Sequence, residues 1–342
     1  DLAIKEELGD KAGIGQELNN IGVIYDRKEK LDQALDYFQR ALQINEELGN
    51  KAGTELNNIA IIYGKRGEYD QALDYFNRSL AISEEFSDKE GIARSYMNIG
   101  FVHNEKGEYD QALDCYGMAL PISEELGNKR LIANCFNNIG EIHNKKGEYD
   151  QAIDYNKRAL QISEELRNKG GMANAFGGIA HNYLKKGEYD QALDYFNRSL
   201  AICEEQGYKR VIGMILNLIG DLHLQKSEYD QALDYYTRSL KIKEELGEEH
   251  KLNIITKLFL ANKHLGKEYD VQEIHKLIAE ADEIDYGINF SLYELLEDKS
   301  YLETAYTQLM KQVDEMENSY KQEFLDYPIP RQIVEAWQKV QS

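Results

Sequence analysis

Asparagine returns at one place along this chain. Asn20, Asn58, Asn98 and Asn138 each stand two residues before a glycine or alanine, in the stretches NNIG, NNIA, MNIG and NNIG that begin at Asn19, Asn57, Met97 and Asn137. A carboxamide offers hydrogen-bond donors and acceptors, but no nucleophile and no proton to trade near neutral pH. The chemistry it brings is recognition. Asparagine is a mediocre helix former, about 0.5 kcal/mol per residue worse than alanine, because its side chain competes for backbone hydrogen bonds. Its return to one spot in an evident helix needs a reason.

Other reactive residue types recur as well, and recurrence counts against catalysis. His103, His143 and His223 follow a 40-residue period, in the place held elsewhere by Tyr25, Tyr63 and Tyr183. Equivalent points on stacked helices lie about 8–10 Å apart, too far to share one ion through bonds of about 2 Å. No metal site is expected. Carboxylate pairs such as Glu68–Asp70 and Glu84–Glu85 have counterparts in every repeat, whereas a catalytic pair needs one distinct environment. They read as a solvated face. Tyr69, Tyr109, Tyr149, Tyr189 and Tyr229 read as packing between helices. No P-loop, GxGxxG, HExxH or GxSxG sequence occurs. No catalytic residue and no cofactor is expected, and the chain reads as non-enzymatic.

The composition bounds the partners. Charged residues make up 30% and hydrophobic ones 42% of 342 residues, with a formal net charge of −21. That is a globular balance, and its sign repels phosphate backbones and anionic membrane surfaces. Neither nucleic acid nor membrane is an expected partner, and no apolar run is long enough to span a bilayer. Cys115, Cys135 and Cys203 form no CxxC or zinc spacing, which suits a reducing, cytoplasmic compartment. The chain opens on Asp1 and reads as a fragment or processed form of something longer.

The elements that must position the asparagines come from a period. GEYDQALDY or a close variant begins at Gly67, Gly107, Gly147, Gly187 and Ser227, and Asp70, Asp110, Asp150, Asp190, Asp230 and Asp270 are 40 residues apart. Asp32 and Asp70 are 38 apart, which places a two-residue deletion near Gly53–Glu55. Each unit reads as two helices, roughly 91–106 and 109–126 in the third. Tyr96, Ile99, Val102 and His103 mark one apolar face, and Ala112, Leu113, Tyr116, Ala119 and Leu120 the other. Glycines at 107 and 127 end the helices. Such a hairpin buries its apolar face only by stacking on its neighbours, which gives an α-solenoid.

Gly100, Ala112, Tyr116 and Ala119 fall at the separations of the tetratricopeptide signature, as do Gly22, Ala34, Phe38 and Ala41. The chain resembles the tetratricopeptide repeat family, in the 40-residue form of spindle-orientation adaptors, kinesin light chains and microbial signalling proteins. The resemblance implies an all-α fold, a right-handed α-α superhelix closed by a C-terminal helical cap. It covers residues 1–285, starting within a second helix and followed by about seven hairpins. A degenerate unit is expected at 286–317 and capping helices at 318–342, where Pro328 and Pro330 stop one helix and start the last.

In such a superhelix the first helix of each unit lines a concave groove. Two residues back from the glycine is a turn of about 200°, so Asn20, Asn58, Asn98 and Asn138 face that groove. By resemblance, they grip the main chain of an extended peptide; the competing reading has them bridging neighbouring helices. One turn further, Val23, Ile61 and Phe101 are apolar while Glu141, His181 and Asp221 are polar. Gln16, Thr54, Arg94, Asn134 and Asn174 lie one turn before the ladder, and Arg27, Lys65, Lys145 and Lys185 near the helix end. Phe101, Arg94, Asn134 and Lys145 complete a groove suited to a ligand with hydrophobic anchors and acidic groups.

Three departures stand out. Gly177 and Gly178 replace the asparagine pair and read as a notch for a bulky ligand residue, or as drift at a joint. Pro121 should kink a second helix. Asn156 takes a place held elsewhere by Phe or Tyr. The expected function is a non-catalytic module binding a protein or peptide segment. Its rivals are a sensor arm of a larger signalling enzyme and a self-association module forming a homo-oligomer.

Overall fold

Two short signals set where the helices of each unit begin and end. Asp10, Asp88 and Asn168 each accept a hydrogen bond from the backbone N–H three residues on, at Gly13 (2.9 Å), Gly91 (3.1 Å) and Gly171 (3.2 Å). These caps satisfy donors that a helix leaves free in its first turn. At the turn inside each hairpin, Gly67, Gly107, Gly147 and Gly187 take φ between 74° and 79°, a left-handed conformation that costs glycine nothing. Glu29 and Ser227 hold the same turn at φ 57° and 59° without that freedom.

The computed structural model describes residue 5 and residues 8–248 and 250–342. Eighteen helices run through them, and no strand occurs among the described residues. The chain divides at Ile142 into two units. The first holds α1 (Lys11–Arg27), α2 (Leu31–Glu47), α3 (Gly53–Lys65), α4 (Tyr69–Glu85), α5 (Lys89–Glu105), α6 (Tyr109–Glu125) and most of α7 (Lys129–Lys145). The second continues with α8 (Tyr149–Glu165), α9 (Lys169–Lys186), α10 (Tyr189–Gln206), α11 (Lys209–Gln225) and α12 (Tyr229–Glu245). It ends with α13 (Leu252–His264), α14 (Val271–Ala279), α15 (Tyr286–Leu296), α16 (Lys299–Glu315), α17 (Asn318–Asp326) and α18 (Pro328–Gln341).

The hairpins close because a glycine meets a ring. A Cβ added at Gly22, Gly100 or Gly220 would stand 2.6, 2.9 or 2.6 Å from the ring of Phe38, Tyr116 or Tyr236. Those rings are almost fully buried, each worth about 2–3 kcal/mol in apolar burial. A second stack runs beside them. Tyr25 lies on Tyr37, Tyr63 on Tyr75, His143 on Tyr155, Tyr183 on Tyr195 and His223 on Tyr235, at 5.2–5.8 Å between centroids. Arg40, Arg78, Arg158, Arg198 and Arg238 cover the outer rings. The third hairpin has Cys115 and Met118 in the places of tyrosine and arginine. Its helix α6 runs on through Pro121 to Glu125.

The repeated aspartates engage the next repeat. Lys106 pairs with Asp70 at 3.0 Å, Lys186 with Asp150 at 2.6 Å and Lys267 with Asp230 at 3.3 Å. Exposed pairs of this kind contribute about 0–1 kcal/mol each.

The second unit is closed by its last helices. Phe290, Leu309, Phe324 and Tyr327 join Tyr149 in one core, and Trp337 stacks on Tyr306 at 5.1 Å. These helices reach back along the unit. Gln312 Nε2 donates to the Lys145 carbonyl (3.1 Å) and Gln151 Nε2 to the Tyr320 hydroxyl (2.8 Å). Phe324 packs where a Cβ on Gly147 would stand 2.6 Å from its ring, and Pro328 packs likewise on Gly187 at 2.8 Å.

Candidate functional site

The asparagines are paired between repeats. Asn58 Nδ2 donates to Asn19 Oδ1 at 2.9 Å, and Asn98 Nδ2 donates to Asn57 Oδ1 at 2.7 Å. The first residue of one NN pair thus receives the second residue of the next repeat's ladder position. Stacked first helices place these Cα atoms one repeat apart, and an asparagine is long enough to span the gap. Each bridging carboxamide retains its own oxygen and a second N–H. Asn58, Asn98 and Asn138 are half-buried, and Asn20 is exposed.

A cleft of about 620 Å³ opens in the first unit, lined from α3, α4, α5 and α7. Asn58, Asn98, Arg94 and Asn134 all line it, so four of the expected residues come together. Asn57 and Thr54 join them on the polar side, and Ile82, Phe86, Met97 and Leu131 supply apolar surface. Arg94 Nη2 lies 2.5 Å from Glu90 Oε1 in an exposed pair one helical turn apart. Such a pair is worth about 0.2–0.5 kcal/mol, so a ligand carboxylate can compete for the guanidinium. Lys51 Nζ sits 4.2 Å from the centre of the Phe86 ring. Phe86 is 47% exposed. It was not singled out from the sequence, although it replaces the leucine of Leu48, Leu126 and Leu166.

The other expected residues lie elsewhere. Asn20, Asn138 and Phe101 do not line this cleft, although Phe101 is 48% exposed on α5. Lys145 lines a cavity of about 380 Å³ in the second unit. Gly177 and Gly178 line neither. The space beside Gly178 is filled by Asn156, whose carboxamide would lie 2.9 Å from an added Cβ. The departure at Asn156 and the glycine at 178 are therefore one packing feature: a small polar side chain reaches a backbone with no Cβ.

Two further polar bridges, whose pairing was not anticipated from the sequence, link neighbouring repeats, one in each unit. Asn104 Nδ2 donates to Glu141 Oε1 (3.3 Å), and Asn144 Nδ2 to Asn182 Oδ1 (2.7 Å). The repeated histidines are engaged locally: the Nδ1 atoms of His103, His143 and His223 lie 2.5–2.6 Å from Glu108, Glu148 and Glu228. Among the described residues no three metal-capable side chains converge. The three cysteines are free thiols; burial pushes Cys115 up to about 11 and Cys135 to about 12. Among the described residues no helix is long and apolar enough to cross a membrane.

A family model described as tetratricopeptide repeat matches residues 16–85, 91–165 and 171–245, more than half of the chain. No curated protein matches the sequence. Solved structures resemble the fold. The apo form of the quorum sensor NprR from B. thuringiensis aligns with a TM-score of 0.63 at 18% identity, over 82% of each chain. The apo form of RapI aligns at 0.55 and 18% identity, over 78% of this chain and 99% of that one. BtubC from P. vanneervenii aligns at 0.51 and 17% identity, over 71% and 93%.

Proposed function

The chain belongs to the tetratricopeptide repeat family, and from that premise we propose that it is a non-catalytic module holding an extended peptide or partner segment in the cleft of its first unit. The observation that carries this reading is the convergence of Asn58, Asn98, Arg94 and Asn134 on that one cleft. The carboxamides keep donors and acceptors for a ligand main chain. Arg94 and Lys51 favour an acidic group, and Phe86 and Met97 an apolar anchor. The volume is in the range of sites that enclose small ligands, about 300–1,000 Å³, and suits a short segment of a longer chain.

The experiment is a selection of peptides from a random displayed library against the whole chain. Selected peptides are then resynthesised with a photo-crosslinking phenylalanine at the apolar position. The expected result is acidic-plus-apolar sequences that crosslink within residues 51–134. Crosslinks confined to residues outside that span would refute the placement.

A likeness to a quorum sensor at 18% identity carries the fold alone, so a sensing role in a larger signalling protein is a proposal resting on the same cleft. Self-association is read by light scattering: a monomer at micromolar concentration excludes it. Three free thiols support a reducing, cytoplasmic location.

A further inference from the structure

The closing segment of the second unit sits on a row of hairpin turns. Phe324 packs on Gly147 and Pro328 on Gly187, where an added Cβ would stand 2.6 and 2.8 Å from the ring and the proline. The two glycines are equivalent positions of successive repeats, and the two anchors are one helical turn apart in the sequence. Tyr327 lies between the anchors with φ −67° and ψ 154°, and this extended break between α17 and α18 carries the chain from one turn to the next. Its ring meets Tyr149 at 4.8 Å between centroids. Further along, Gln332 Nε2 donates to Gln225 Oε1 at 3.4 Å, beside the turn of the following repeat.

The first unit carries the same pair of turns. GEYDQALD stands at Gly67 and Gly107 as it does at Gly187, and GEYDQAID at Gly147. All four glycines hold φ between 74° and 79°. The same ion pair spans the step from turn to turn, Lys106 to Asp70 at 3.0 Å in the first unit and Lys186 to Asp150 at 2.6 Å in the second. Gly67 and Gly107 are exposed, and among the described residues nothing lies within 4 Å of a Cβ added at either. Tyr69 is half-buried where its counterpart Tyr149 is buried. The fold thus presents one docking rim twice, once covered by the chain and once open.

The two rims differ in charge at one place. At the two residues before each glycine and the first and third after it, the covered rim balances four cations against four carboxylates. In the open rim Glu105 stands where Lys185 stands, so three cations face five carboxylates, a net charge of −2. The segment on the balanced rim is itself balanced: Lys321 and Arg331 offset Glu323 and Asp326 within residues 318–332. A segment matched to the open rim needs the same anchors and a net positive charge.

We propose that the open rim at Gly67 and Gly107 docks a segment of a partner protein with this chemistry. The segment carries an aromatic residue, a tyrosine three residues on and a proline directly after it, at a break between two short helices, with a net charge of about +2. The aromatic residue packs on Gly67, the tyrosine on Tyr69 and the proline on Gly107. A second copy of this chain is the poorer occupant, because its segment is neutral and already packed in the core of its own second unit. None of these rim residues lines the cleft at Asn58 and Asn98, so the rim is a separate surface.

The test is fluorescence anisotropy of a labelled peptide titrated with the whole chain. The peptide is residues 318–332 carrying Glu323→Gln and Asp326→Asn, which keeps every anchor and adds two positive charges. The proposal expects saturable binding at micromolar concentration, about tenfold tighter than that of the unsubstituted peptide and weakening as salt is added. Phe324→Ala with Pro328→Ala in the peptide should abolish it. In the chain, Gly67→Ser with Gly107→Ser should weaken binding at least about tenfold. Ser227 holds the same turn at φ 59°, so the fold accepts serine there, while its side chain takes the space the anchors need; circular dichroism checks the fold. The same serine chain should hold a library-selected cleft peptide as the parent does, so failure here is distinguishable from failure of the cleft. No saturable binding below about 1 mM, equal affinity for the alanine peptide, or undiminished binding by a folded serine chain would each overturn the proposal. Tighter binding of the unsubstituted peptide, the mark of a second copy as occupant, would overturn it as well.

Discussion

Asn58 and Asn98 have two roles that the sequence presents as alternatives. Each bridges to the preceding repeat and each lines the cleft. The bridge fixes the side chain; in the role proposed above, its remaining oxygen and N–H would then be oriented before a ligand arrives, which would lower the ordering cost of binding. A turn of about 200° from the core residues Ala60 and Gly100 gives the face on which Asn58 and Asn98 line the cleft, whereas Asn20 and Asn138, placed by the same turn, do not line it. The partners of Asn58 and Asn98 were not legible in the sequence, because Asn19 and Asn57 become neighbours only once repeats stack. Replacing either Asn58 or Asn98 with alanine should lower unfolding stability by about 0.5–1.5 kcal/mol, measured by urea denaturation. Glu55 offers a separate check. It is 6% exposed, and burial raises its pKa above 4.5 against hydrogen bonds from its own backbone and Asn45. Between 4.5 and that raised value the folded chain holds more protons than the unfolded one, so stability falls as pH rises through the window. Glu55→Gln should flatten that fall and be more stable than the parent at neutral pH. A profile parallel to the parent's would contradict the burial argument.

At the scale of elements, the period carried most of the information. A glycine facing a ring, an Asp or Asn cap and a left-handed turn recur, and each is a local rule that a sequence displays. The exceptions point to improvements. Arg167 and Ser227 sit at φ 50° and 59° where other repeats have glycine, a conformation that costs an L side chain about 1 kcal/mol. Arg167→Gly and Ser227→Gly should each raise stability by about 0.5–1 kcal/mol in urea denaturation; a loss would show that the side chain makes a compensating contact. The third hairpin lacks the ring-and-guanidinium stack of the others. Cys115→Tyr combined with Met118→Arg should build it on His103, and the pair should be more stable together than the sum of the single changes. Additive effects would mean the stack does not form.

For the molecule as a whole, the closing helices were legible as helices but not in their reach. Pro328 and Pro330 signal a stop and a start. The contacts to Gly147, Tyr149 and Gln151 come from residues some 170 positions away, with no local pattern to announce them. Phe324 holds this return in place, fully buried against Gly147. Phe324→Ala should cost about 3–5 kcal/mol and raise amide exchange at residues 147–151, with residues 16–85 unaffected. Uniform loss of protection would instead show that the whole chain unfolds as one. The family and the hairpins are read from repetition; the reach of the closing helices to Gly147 and Gln151 is read only from the structure.

The most direct measurement is the dissociation constant of a library-selected peptide for the parent chain and for the Asn58→Ala/Asn98→Ala/Arg94→Ala chain, with circular dichroism and melting recorded on both. The account predicts at least about a tenfold weakening with helicity retained. Equal affinity in a folded triple variant would contradict it, and would leave the asparagines as bridges between repeats alone.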